Sequence, residues 1–303
     1  MSEPQLDCLV VGGGPAGLTA AIYLARFRMA VRVVDAGRSR AGWIPCTRNV
    51  PGFTDGVSGH ELLARMRAQG EKYGAAFTTG RVTRLDPIEG GFSAEWGGGS
   101  ATARTVLLAT GVKNRRPDMD EELHDEALAR GLIRYCPICD GYEVTDKKVG
   151  VIGSGSHGVA EAVFLRGYTA DITLIAPHDA HDLAPEDQQR LSEHGIRTID
   201  GPSRGVAVQK DCIVVETAEG HHAFDSVYPA LGSDVHVELA GRSASRSAAT
   251  PAASPSTTTS APTSAASTPP ATSSSGSTRS ATRWARAESR RRRSGTTLRN
   301  SGR

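Results

Sequence analysis

A glycine-spaced turn, set between an apolar run and a helix-like run, constrains this chain more than any other feature, and it occurs twice. The first copy lies in "LVVGGGPAGLTAAIYLARFRMAVRVVDAG" and the second in "VGVIGSGSHGVAEAVFLRGYTADITLIAPHD". Gly12, Gly14 and Gly17 stand in the order G-x-G-x-x-G, and so do Gly153, Gly155 and Gly158. In a strand–turn–helix unit the first glycine permits the tight turn. The second lets the backbone approach a pyrophosphate, and the third lets the helix pack on the strand. Two such units in 303 residues predict an α/β protein with two doubly wound, Rossmann-like nucleotide-binding domains. In the first unit, strands are expected over residues 9–11 and 31–34 and a helix over 18–27. "TVLLATG" (105–111) predicts a further buried strand. "CIVVETAEGHHAFDSVYPALG" (212–232) predicts a hairpin, with His221 and His222 at its turn, leading into a strand that ends at Leu231 and Gly232.

The two units differ at the end of their second strands. In the first, Asp35 stands there, where a carboxylate accepts hydrogen bonds from both hydroxyls of a ribose. In the second, the strand ends in Ala176-Pro177-His178-Asp179. No arginine cluster stands there to hold a 2′-phosphate, and Asp179 reads either as a ribose acceptor or as a turn cap. Between the units lies "CPICDG", Cys136 to Gly141. Alone, this C-x-x-C reads as a redox pair, a metal hook or two unrelated thiols. Between two dinucleotide folds it reads as a redox relay, with Asp140 available to shuttle the proton that thiolate chemistry needs. No second cysteine pair has metal-site spacing, so no metal centre is expected.

Charge divides the chain. From Ala240 to Arg303 there are 11 Arg and one Glu, which leaves 24 Lys and Arg against 32 Asp and Glu in the first 239 residues. The body is therefore mildly acidic and carries no general nucleic-acid footprint. The tail, with Arg290 to Arg293, reads as an arm for nucleic acid or an anionic surface, or as a disordered, solvated end. No apolar run reaches the ~20 residues of a membrane span. The acidic start "MSEPQLD" is unlike a signal peptide. A cytoplasmic protein is expected, without membrane or nucleic-acid partners.

The order of "GGGPAGLTAAIYLAR", "NVPGFTDGVSGHELLARMRAQGEKYGAAF", "LLATGV", "CPICDG", "GVIGSGSHGVAEAVFL" and "YPALG" resembles the low-molecular-weight thioredoxin reductase family over roughly residues 5–240. The resemblance implies an FAD-binding domain in residues 1–117 with Gly12, Gly14, Pro15, Ala16, Gly17, Asp35, Thr110 and Gly111 at the cofactor. It implies an NAD(P)-binding domain in residues 118–239, with Gly153, Gly155 and Gly158 at NADPH or NADH and with the redox-active cysteines. Cys139 would face the flavin and Cys136 would exchange with a thioredoxin-like protein or a small disulfide, in an expected homodimer. Where that family usually has His-Arg-Arg after the second strand, this chain has Ala176-Pro177-His178. A neighbouring branch of dithiol oxidases that use oxygen tends to carry His after the second cysteine. Asp140 stands there in this chain, as in the reductases, so a disulfide reductase is expected, with a dithiol oxidase on the same scaffold as the alternative. Cys8 and Cys212 read as packed strand thiols. Cys46 reads as a loop thiol, or else as a thiol near the flavin.

In that family the chain returns after the second domain to complete the first, with an Ala-Gly-Asp segment whose Asp approaches the ribityl chain. Residues 254–284 contain no Val, Ile, Leu, Phe, Tyr or Met and cannot form that segment. The codons of residues 252–284 can be read in the shifted frame with G/C-rich wobble bases. They then give a strand, a Thr-x-x-Gly turn and Leu-Tyr-Ala-Ala-Gly-Asp, with a closing helix after it. Ala271 and Thr272 supply the Asp codon. Residues 240–303 are therefore expected to be a frameshifted remnant of the FAD domain, with the slip near Arg242. The alternative for the tail is a genuine low-complexity segment, and the alternative for function is a flavin-poor, inactive product or a nucleotide-binding redox sensor.

Overall fold

The computed structural model describes residues 5–236 and Leu239. Every expectation for the tail from residue 240 onward lies outside the described residues.

The chain begins with the first βαβ unit: β1 (Leu6–Val11), α1 (Pro15–Arg26) and β2 (Val31–Asp35). A 3₁₀ turn (Arg40–Trp43), α2 (Gly59–Lys72) and β3 (Ala76–Thr79) come next, and then a meander of β4 (Val82–Ile88), β5 (Gly91–Trp96) and β6 (Gly99–Leu108). These strands form a mixed sheet in the order β3-β2-β1-β6-β5-β4. Leu9 and Val10 are fully buried because the central parallel strands are covered on both faces. Leu9, Val11, Val34, Leu85 and Trp96 pack on one face of the sheet. Cys8, Val10, Val33, Ala21 and Ala25 pack on the other, under α1.

Helix α1 starts at Pro15, earlier than the expected residue 18, because proline is pre-set for the first turn and needs no hydrogen-bonded N–H there. The expected strand over 105–111 is the last part of the longer β6. Its first half pairs antiparallel with β5 and its second half parallel with β1. It stops at Leu108, and Gly111 takes a left-handed φ of +65° that a continuing strand could not hold.

Two strands then cross to the second domain and back. β7 (Val112–Asn114) leaves the first domain and pairs antiparallel with β15 (Ser233–Val235) on the return. Between them lie α3 (Glu121–Ala129), the short α4 (Pro137–Asp140), β8 (Val149–Gly153), α5 (Gly155–Leu165), β9 (Ile172–Ile175), α6 (Pro185–Glu193) and β10 (Arg197–Ile199). A second meander is built of β11 (Gly205–Gln209), β12 (Cys212–Thr217) and β13 (Gly220–Phe224), and β14 (Ser226–Ala230) comes after it. β10-β9-β8-β14 form a parallel sheet, and the meander packs on one of its faces through Ile213, Val215 and Phe224. The fold is thus α/β with two Rossmann-like domains.

The expected hairpin over 212–224 is present, but His221 and His222 are not its turn. Thr217 pairs with Gly220 across a two-residue turn, Ala218 and Glu219, and both histidines lie on β13. His222 Nε2 is 3.0 Å from Thr217 Oγ1.

The helix-to-strand contact in each βαβ unit is made by backbone. A Cβ on Gly17 would stand 2.0 Å from the Gly12 carbonyl oxygen. Gly17→Ala should therefore push α1 off β1 and cost roughly 1–3 kcal/mol. Gly97→Ala points into open space and should leave stability nearly unchanged. Thermal unfolding of the two variants checks this, and equal midpoints would contradict it.

Candidate functional site

Gly12 turns at φ +110°, and a Cβ there would stand 2.3 Å from the Ala109 carbonyl oxygen. Only glycine permits this crossing of the turn over the end of β6. The Gly13 N–H donates to Asp35 Oδ1 at 3.0 Å, which ties the carboxylate at the end of β2 to the turn. Helix α1 has Gly14 at its N-cap and no side-chain cap, so its first amides are left for an anion. Gly12, Gly14, Pro15, Ala16, Asp35, Thr110 and Gly111 all line one cleft of about 1670 Å³. Gly17 lies behind it, in the helix–strand contact. A cradle closed to side chains, an uncapped helix start and a carboxylate held at the strand end together fit a dinucleotide.

The same cleft runs on to Cys136 and Cys139. The two form a disulfide, with Cα atoms 5.2 Å apart. Cys136 caps α4, Pro137 opens the helix, and the Cys139 N–H donates to the Cys136 carbonyl at 2.8 Å. Polar contacts from the first domain reach this turn. Asn49 Nδ2 donates to the Cys139 carbonyl at 3.0 Å, and Arg48 pairs with Glu143 at 3.3 Å.

Asp140 is gripped from two sides. Arg134 Nη1 lies 3.0 Å from Oδ2, and the Tyr228 hydroxyl donates to Oδ1 at 2.9 Å. Burial raises the Asp140 carboxyl above the usual carboxylate range, and Arg134 and Tyr228 oppose that shift only in part. Burial, and then the neighbouring Asp140, also raise the Tyr228 phenol. Sequence reasoning finds Asp140 but neither partner. Arg134 lies before the C-x-x-C in an irregular segment and Tyr228 on a strand far along the chain, and no local pattern joins them.

The second glycine turn repeats the close helix–strand contact of the first, but its left-handed residue is the second glycine rather than the first, and its helix begins at that glycine. A Cβ on Gly158 would stand 2.9 Å from the Gly153 carbonyl carbon, and Gly155 takes φ +56°. None of these three glycines lines the cleft that holds the disulfide. His178 and Asp179 are exposed beyond β9. The Asp179 carbonyl accepts from the Gly201 N–H at 3.1 Å. Beside the turn, Ser156 Oγ donates to the buried Asp187 Oδ2 at 2.6 Å, a contact that no sequence pattern signals.

Cys8 is buried as expected. Cys212 is only half-buried, because it flanks the tight turn of the β11–β12 hairpin, opposite Gln209. Cys46 is a half-buried free thiol beside the Thr47–Val57 bridge, and it lines the cleft. Among the described residues there is no group of three metal-ligating side chains and no helix long and apolar enough to cross a membrane.

Residues 6–252 match the family model described as pyridine nucleotide-disulphide oxidoreductase. A thioredoxin reductase of Mycolicibacterium smegmatis is 30% identical over 251 residues, covering 78% of this chain and 79% of the relative. A thioredoxin reductase of Streptomyces coelicolor is 32% identical over 189 residues, covering 61% of this chain. The match spans 58% of that relative's length. Among solved structures, a thioredoxin reductase from Streptococcus pyogenes aligns with TM-score 0.71 and 27% identity, covering 80% of this chain and 81% of its own.

The Asp140 environment gives a signed pH dependence. A carboxyl raised by folding contributes stability that is present below its unfolded value and is lost as pH rises through its folded value. Asp140→Asn cannot ionise, so its stability relative to the parent should improve as pH rises from about 4 to about 8. Melting temperatures of both proteins across that range test this. A difference that stays flat, or that worsens with pH, would contradict the shift.

Proposed function

The chain belongs to the pyridine nucleotide-disulphide oxidoreductase family, in its low-molecular-weight thioredoxin reductase branch, and from that premise we propose that its fold carries electrons from NAD(P)H through FAD to the Cys136–Cys139 disulfide. The observation that carries this reading is the single cleft that joins the glycine cradle at Gly12, Gly14, Pro15 and Ala16 to both cysteines. FAD would be held by that cradle, with Asp35 at its ribose and Thr110 and Gly111 along the cleft. Once bound, the flavin supplies two-electron exchange between a nicotinamide and a disulfide.

This chain's own residues account for the rest. Cys139 is exposed, in the cleft, and Cys136 is half-buried. Reducing their disulfide takes two electrons and two protons and leaves two thiols. Asp140, next to Cys139 in the chain and fixed by Arg134 and Tyr228, has its carboxyl raised by burial toward the range in which it can exchange a proton with this step. The Cys136 thiolate then attacks the disulfide of a thioredoxin-like protein or a small molecule. The resulting mixed disulfide is resolved by Cys139, which reforms the bond and releases the substrate as a dithiol. Gly153, Gly155 and Gly158 would receive the nicotinamide cofactor. The enzyme would act as a cytoplasmic homodimer.

The shifted-frame reading of the tail belongs to this proposal. Among the described residues, no strand pairs with the edge of Thr105–Leu108 opposite β1, and Leu107 and Leu108 are 38% and 37% exposed there. A parallel strand ending in Ala-Gly-Asp, encoded by the restored frame, would pair with that edge and cover those leucines. Restoring the frame near codon 242 should give a yellow protein with far more bound FAD than the chain as written. Equal FAD content would contradict the shifted frame.

In the frame-restored protein, Cys136→Ser should abolish disulfide turnover yet leave reduction of the flavin by the nicotinamide cofactor intact. Cys139→Ser should remove any thiolate-to-flavin charge-transfer absorbance. Full reductase activity in both variants would overturn the relay. Because Ala176-Pro177-His178 offers no arginine to a 2′-phosphate, NADPH should show little advantage over NADH. A kcat/KM for NADPH about a hundredfold higher, equivalent to about 2.7 kcal/mol, would contradict that.

A further inference from the structure

The two domains are joined by β7 and β15, strands of three residues each, and the ion pair beside them, Arg115–Asp234, is exposed on both sides. So short a ribbon with a solvated ion pair fixes little about how one domain faces the other. The apolar contact between the domains lies elsewhere. Trp43, in the 3₁₀ turn of the first domain, packs against the core cluster of the second domain that contains Leu128, Leu132 and Ile133.

Three side chains clasp the Trp43 indole. The Arg116 guanidinium lies 4.5 Å above its ring, the His124 ring meets it edge-on at 5.4 Å, and the Tyr135 ring lies 5.7 Å away. His124 is fully buried, and its Nε2 is 2.8 Å from the Tyr135 hydroxyl. Burial lowers the His124 imidazole from its usual value, opposed by Asp125, whose Oδ1 is 3.3 Å from Nδ1. Tyr135 is the residue immediately before Cys136, and its carbonyl accepts from Arg40 Nη2 at 3.4 Å, the same 3₁₀ turn that carries Trp43.

We infer that Trp43, clasped by Arg116, His124 and Tyr135, is an interdomain latch that positions the Cys136–Cys139 turn over the first domain's cleft. An aromatic anchor with a cation on its face and two partner rings has the make-up of an interface hot spot. It is set one residue from the redox pair, so the orientation of the whole domain passes directly to the disulfide. With the latch closed, the disulfide borders the cleft and the second glycine turn does not. The latch therefore holds the disulfide beside the first cradle, where the proposed flavin would pass electrons to it. That consequence rests on the proposed electron path, whereas the latch itself rests on the packing alone. Trp43 and His124 are positioning residues, since each acts on the disulfide through Tyr135.

Interdomain distance measured by electron spin resonance on the full chain tests this without any turnover. Spin labels go on Gln69→Cys in α2 and Gln189→Cys in α6, both exposed, with Cys46→Ser and Cys212→Ser as background. The latched protein should give one narrow distance. Trp43→Ala should replace it with a broad or shifted distribution, and Trp43→Phe should restore most of the narrow one. A pair within the second domain, Gln189→Cys with Gln209→Cys, should not change in any variant, which separates unlatching from unfolding. An interdomain distance unchanged by Trp43→Ala would overturn the latch. Should that variant fail to fold, Arg116→Gln and Tyr135→Phe are read the same way, and a narrow, unmoved distance in both would overturn it equally. In the frame-restored, FAD-loaded protein, absence of disulfide turnover while the narrow distance persists would instead count against the electron path.

Discussion

The structure depends on a contact with no side chain in it. In each domain the helix after the first strand lies so close to the turn that a single methyl group could not be inserted. At Gly17 the obstacle is the Gly12 carbonyl, and at Gly158 it is the backbone of Gly153. This closeness brings the uncapped start of α1 against the end of β1, next to the Asp35 carboxylate. A cradle of backbone amides and one acid results from it, and the adjacent cleft inherits its shape from that corner. Every later feature of the site is placed relative to it.

The disulfide turn is held by a different kind of force. Around α4 the contacts are polar and partly buried: Asp140 between Arg134 and Tyr228, and the Cys139 carbonyl on Asn49. Interior charge of this sort is costly unless paired, and removing one partner leaves the other unpaired in a low dielectric. Such a network adds little net stability but fixes geometry, and a redox turn needs fixed geometry. On the far side of the turn, Trp43 and its three partners supply the apolar counterpart. The disulfide thus sits between a polar clamp made largely within its own domain and an aromatic clamp shared by both.

Much of this is legible in the sequence because it is steric and local. The glycine spacing, Asp35 at the next strand end and the C-x-x-C each report a short-range requirement that few residues satisfy. Less legible are the elements decided by distant partners. β6 extends back to Gly99 because β5 pairs with it, although residues 99–104 show no buried-strand pattern. His221 and His222 read as turn residues, yet Gly220 pairs with Thr217 and moves the turn to Ala218 and Glu219. Arg134, Tyr228, Trp43 and His124 carry no motif at all. Their roles come from side chains brought together across up to 94 residues, as Arg134 is with Tyr228 around Asp140. The residue types fit such a site, but a single sequence does not reveal which of them meet.

The central claim is that one cleft makes the dinucleotide cradle and the cysteine pair a single electron-accepting unit. Anaerobic titration of the frame-restored, FAD-loaded protein with a stoichiometric reductant tests this most directly. If flavin and disulfide share electrons, the protein should take up about twice the reducing equivalents of its Cys136→Ser variant before the flavin is fully bleached. Equal uptake by the two proteins would mean that the flavin does not communicate with Cys136–Cys139, and the account of the cleft would fail.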